Sequence, residues 1–131
     1  MTTNGPFRRP LTAGNWKLNL TLKESVELSR AVADGTSSSG AAGGLSAPEI
    51  AVAPPFTALT VVGEIVKGKP VRLAAQDCHC EASGAYTGEV AAAQLKDAGC
   101  WGVILGHSER RRLFGETDDK GSPLYRVESS N

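Results

Sequence analysis

Short apolar runs alternate along this chain with longer stretches in which apolar residues recur at helical spacing. Residues 11–14 read as a first strand. Thr21 and Glu24 follow at the spacing by which a hydroxyl and a carboxylate satisfy each other's end of a helix start. Over residues 22–34, at about 100° per residue, Leu22, Val26, Leu28, Val32 and Ala33 share one broad face. Lys23, Glu24, Glu27, Arg30 and Asp34 share the other. This predicts an amphipathic helix lying on a sheet and ending at Gly35. Residues 36–48 are rich in Ser, Gly and Ala and predict a flexible loop. Strands follow at 50–53, 71–76 and 101–105, the first of them closed by Pro54-Pro55. Helices are expected at 57–66, stopped by Gly68, at 89–98, stopped by Gly99, and from Ser108 to about Phe114. Residues 78–88 form a long, polar, glycine-containing loop.

Four short apolar strands, each followed by a helix, predict an α/β fold with a parallel sheet covered by helices. The pattern divides the chain into a flexible N-terminus at 1–9, a βα region at 10–119 and a divergent, disordered tail at 120–131. Gly121 and Pro123 stop any helix in that tail, and residues 124–131 are too short for another βα unit. The sheet is therefore expected to end at its fourth strand, with the outer edges of strands one and four both unpaired. Open edges template further pairing, so poor solubility is expected.

Charge and cysteine content narrow the partners. Lys plus Arg is 14 and Asp plus Glu is 14, so no net charge draws the chain to nucleic acid or an anionic membrane. No apolar run approaches the roughly 20 residues of a membrane span, and no apolar segment follows Arg8 and Arg9 as in an export signal. Three cysteines cannot all pair within one chain, so reduced thiols and a cytoplasmic location are expected. Cys78-His79-Cys80 lacks the second ligand pair of a structural zinc site, and no metal is expected there. Residues 40–44 lack the Gly-Lys-Ser/Thr of a phosphate loop. Arg110-Arg111-Arg112 reads as the solvated, ion-paired face of a helix start.

Parallel α/β folds bind ligands at the carboxyl ends of their strands. The polar groups just beyond those ends are Asn15, Lys17, Gln76, His107 and Glu109. His107 lies between Gly106 and the helix beginning near Ser108, where unpaired amides carry partial positive charge. That field disfavours imidazolium. A neutral imidazole can donate one hydrogen bond to a substrate oxygen. Lys17 adds positive charge suited to an anionic substrate or a developing oxyanion.

Five motifs, Ala13-Gly14-Asn15-Trp16-Lys17, Ala53-Pro54-Pro55-Phe56, Ala75-Gln76-Asp77, Gly84-Ala85-Tyr86-Thr87-Gly88-Glu89 and Gly106-His107-Ser108-Glu109-Arg110-Arg111, resemble in order and spacing those of the triosephosphate isomerase family. The likeness runs from about Leu11 to about Asp119 and covers the first half of that family's eight-unit barrel. It implies a partial (β/α)8 TIM barrel comprising the first four βα units. It implies interconversion of dihydroxyacetone phosphate and glyceraldehyde 3-phosphate through an enediolate, in glycolysis and gluconeogenesis, with no cofactor and no metal. A neutral histidine at a helix N-terminus is already known for this family, so His107 follows a documented example. By the same likeness, His107 and Lys17 are catalytic, Asn15 binds substrate with Lys17, and Glu109 and Gln76 support the site. The loop at 78–88, with Thr87 near its tip, resembles the family's dimer loop and implies a homodimer. Leu18 stands where the family commonly has methionine, and Asp77 where it often has asparagine. The family's base is a glutamate after strand six, and its phosphate grip comes from later loops. The 131 residues alone are therefore expected to be inactive. Two readings follow: an isomerase sequence interrupted near Lys120, or a non-catalytic half-barrel that self-associates or complements another chain.

Overall fold

The computed structural model describes residues 8–38 and 47–116, together with the backbone of residues 126–129. Its elements are β1 (Leu11–Asn15), α1 (Leu22–Ser38), β2 (Glu49–Ala53), a 3-10 turn (Phe56–Ala58), α2 (Leu59–Val66), β3 (Arg72–Ala75), α3 (Ala92–Asp97), β4 (Gly102–Leu105), α4 (Ser108–Phe114) and β5 (Arg126–Ser129). The strands form one sheet in the order β1-β2-β3-β4-β5. β1 to β4 pair in parallel, as the alternation of strands and helices predicts. They form the amino-terminal part of a (β/α)8 barrel.

One face of the sheet packs on the helices. Val52, Leu73 and Ala75 meet Leu59, Val62 and Val66 of α2 and Leu95 of α3 in a single buried cluster. Because strand side chains alternate, Ala51, Ala53 and Ala74 belong to the opposite face, with Ala13 in register beside Ala51. That face is floored by small residues. Asn15 and Gln76 continue its alternation at the carboxyl end. At the amino end, Glu49 carboxylate oxygen Oε1 lies 3.4 Å from Arg72 and 3.9 Å from Arg9.

The helix start at Thr21 is a capping box. Thr21 N–H and Oγ1–H each donate to Glu24 Oε2 at 2.7 Å, and Glu24 N–H donates to Thr21 Oγ1 at 3.4 Å. Two expectations for α1 need correction. The helix continues past Gly35 to Ser38, and the hydroxyls of Thr36, Ser37 and Ser38 donate back to carbonyls of the preceding turn. Its buried stripe is Ser25, Ser29 and Ala33, four residues apart, whereas Leu22 and Leu28 are exposed. The contact face is thus rotated away from Leu22 and Leu28, while Val32 and Ala33 of the expected face remain against the core.

The third correction concerns the far edge. β4 was expected to lack an outer partner, but β5 pairs with it antiparallel, Gly102 opposite Ser129 through Leu105 opposite Arg126. Within the tail expected to be disordered, residues 126–129 are thus a strand. β1 pairs only with β2 among the described residues. Residues 1–7 of the N-terminus expected to be flexible at 1–9, the centre of the Ser/Gly-rich loop at 39–46 and tail residues 120–125, 130 and 131 lie outside the described residues.

Candidate active site

Asn15 ends β1, Lys17 follows it, Gln76 follows β3, and His107 follows β4, so all stand at the carboxyl end of the sheet. Gly106 makes the last turn possible: its φ of +59° swings the chain from β4 into α4. His107 is then the N-cap of α4, and its Nδ1 accepts the Glu109 N–H at 3.1 Å. This bond uses the Nδ1 lone pair and leaves Nε2 as the ring nitrogen that can carry the proton. Glu109 Oε2 also lies 3.6 Å from Nδ1, an ion pair only for a protonated ring.

Lys17 reaches the same helix turn. Its Nζ donates to Glu109 Oε1 at 2.5 Å. That hydrogen bond, ahead of the general attraction of Lys17 and Arg112, holds the Glu109 carboxyl below the usual glutamate range. Asn15 Oδ1 accepts the Lys17 N–H at 2.9 Å, and Gln76 Nε2 donates at 2.9 Å to the carbonyls of both Lys17 and Ala53. All five residues expected at this rim therefore belong to one connected group. Thr87 does not: it is exposed on the loop between β3 and α3. That loop is closed by His79 N–H donating to Val90 O at 2.8 Å, with the His79 and Tyr86 rings 4.4 Å apart.

One charged cluster was missed. Arg110 Nε lies 3.0 Å from Asp77 Oδ2 and 2.6 Å from Glu116 Oε1, which ties α4 to the end of β3. Arg111 Nε donates to Gly106 O at 2.9 Å. The arginine run was legible as ion-paired, but nothing local in the sequence points to Asp77 as a partner. Among the described residues, no group of three His, Cys, Asp or Glu could hold a metal ion, and the three cysteines are unpaired. A concavity of about 850 Å³ lies at the amino ends of the strands between Arg9, Glu49, Lys67 and Trp101, and none of Asn15, Lys17, Gln76, His107 and Glu109 lines it.

The carboxyl end of this parallel sheet thus gathers a histidine, a lysine and two side-chain amides, at the end where (β/α)8 barrels bind their ligands. The profile of the triosephosphate isomerase family matches residues 10–123. This chain belongs to that family. It is 54% identical over 117 residues to the triosephosphate isomerase of Pelobacter propionicus, covering 86% of this chain and 43% of that protein. It is 48% identical over 113 residues to that of Endomicrobium trichonymphae, with the same coverage of both chains. Among solved structures, triosephosphate isomerase from Bartonella henselae superposes with a TM-score of 0.74 at 40% identity, over 85% of this chain and 43% of that one. The chain thus spans less than half the length of the relatives it matches. No described helix is long and apolar enough to cross a membrane.

Proposed function

We propose that this chain supplies the amino-terminal part of a triosephosphate isomerase active site. The observation that carries this reading is the link from Lys17 through Glu109 to His107, with contacts of 2.5 Å and 3.1 Å. It joins a fixed cation to a neutral imidazole across the rim. His107 polarises the substrate carbonyl by donating from Nε2. Lys17 stabilises the charge that develops as the enediolate forms, and binds the anionic substrate together with Asn15. Glu109 holds the Lys17 ammonium, and Gln76 supports the loop. The chemistry calls on no metal and no cofactor.

The substrates are the two triose phosphates of glycolysis and gluconeogenesis, and the setting is the cytoplasm. The working unit is a homodimer. Leu18, 98% exposed beside Lys17, and Thr87 on its exposed loop are the residues offered to a second copy. Replacing Leu18 with Lys should weaken self-association in sedimentation velocity, and unchanged association would remove Leu18 from the interface.

The proton base and phosphate grip belong in this family to later strands. A polypeptide of these 131 residues should therefore show no isomerase activity above background. Extending the chain after α4 with the matching remainder of the Pelobacter propionicus protein should restore turnover. An inactive but folded chimera would overturn the proposal. One observation favours a second reading, a non-catalytic half-barrel. In a closed barrel β4 has a parallel neighbour on each side, whereas here an antiparallel strand lies beside it. A native product of this length in the source cells, inactive and undisturbed in its reading frame, would favour that reading.

A further inference from the structure

Lys17 has a φ of +55°, a left-handed backbone that disfavours any residue bearing a Cβ. Such a conformation persists only where its surroundings over-determine it. Two side-chain amides grip this peptide from either side. Asn15 Oδ1 accepts its N–H, and Gln76 Nε2 donates to its carbonyl, each at 2.9 Å. The same Gln76 nitrogen also donates to Ala53 O at 2.9 Å, and that carbonyl accepts the Trp16 N–H at 3.0 Å. Both Gln76 protons thus go to backbone oxygens. One side chain joins the end of β3, the end of β2 and the loop after β1.

The Lys17 side chain continues from this clamp to Glu109 on α4. No strand pairing joins β1 to β4 directly. The meeting of Lys17 with the His107 turn therefore depends on how the Lys17 peptide is held. We infer that Gln76 is a positioning residue: it fixes the left-handed Lys17 backbone so that the ammonium stands beside Glu109 and His107. A glutamate there would have no proton to donate, and an alanine would reach neither carbonyl. The importance of this placement rests on the site reading above, but its test reads placement and not turnover, so the two can fail separately.

The test uses NMR on the full 131-residue chain. Glu109 titrates below the usual glutamate range because Lys17 donates to it, with Arg112 as a further positive neighbour. Gln76→Met keeps the shape and removes both donors. It should shift the Glu109 midpoint upward, toward the ordinary value, and move the Lys17 amide resonance. Gln94→Met is the control. It removes another structural amide, whose Oε1 accepts the Ala91 N–H at 2.8 Å, and it should leave Glu109 unmoved. A folded Gln76→Met chain with an unchanged Glu109 midpoint and Lys17 resonance would overturn the inference. An equal shift in Gln94→Met would overturn it too, as mere loosening. Should Gln76→Met unfold the chain, the unaltered protein still decides: slow solvent exchange of the Gln76 side-chain protons supports the clamp, and exchange at the rate of a free glutamine refutes it.

Discussion

Asp77 sets burial against pairing at a single carboxylate. Its burial raises the carboxyl above the ordinary aspartate value, outweighing both the Cys78 amide bond and the attraction of Arg110. A folded-state value above the unfolded one favours the protonated form. The stability Asp77 contributes is then greatest below the unfolded value and is lost as pH rises through the folded one. Asn does not titrate, and Arg110 keeps Glu116 as a partner. Asp77→Asn should therefore raise the melting temperature more at pH 7 than at pH 3; an equal effect at both pH values would show that burial does not dominate. At this scale much was legible. Asn15, Lys17, Gln76, His107 and Glu109 could be picked out because they follow strands, and the capping box at Thr21 was read from spacing alone. The Asp77–Arg110 pair was not, because its members are far apart in sequence and meet only once β3 and β4 are neighbours. Nor does a sequence show that Lys17 adopts a left-handed backbone, the fact that gives the Asn15 and Gln76 amides their partners.

Helix α1 shows where periodicity misleads. A hydrophobicity pattern weights Leu22 and Leu28, but packing selects Ser25, Ser29 and Ala33, whose small side chains permit close approach. The Ser29 hydroxyl donates to Val26 O at 3.0 Å, while the buried Ser25 hydroxyl has no hydrogen-bond partner among the described residues. Ser25→Ala should remove that desolvation penalty and stabilise the chain by up to about 1 kcal/mol, read as a higher denaturation midpoint; a loss of that size would mean the hydroxyl is bonded. Gly63 in α2 is a tighter constraint. A Cβ there would lie 3.1 Å from both Ala98 O and a Leu73 methyl. Gly63→Ala should cost about 1–3 kcal/mol through overpacking, despite the better helix propensity of alanine. A stabilised variant would show that α2 and α3 can move apart freely. The element types and their order followed from the alternation of patterns. Boundaries moved where side chains could compensate, as at Gly35, or where a loop had to close, as in residues 89–91 before α3.

At the scale of the whole molecule, four parallel strands were legible and the fifth strand was not. Residues 126–129 have no hydrophobic signature, and their pairing depends on an edge that only the folded sheet presents. By covering β4 they leave β1 as the open edge of the parallel set among the described residues. Val127→Pro removes an amide from the strand opposite Ile104. The β4 amides should then exchange with solvent faster, while those of β2 keep their protection. Unchanged β4 exchange would mean that β5 does not guard this edge. The proposed role of His107 is that of electrophile in a triose phosphate isomerisation. Its most direct test is steady-state kinetics on the chimera that completes the barrel, with and without His107→Gln. With that role, kcat should fall about 10²–10³-fold, the usual cost of losing a hydrogen-bond donor to a developing oxyanion; a variant that keeps its full kcat would refute it.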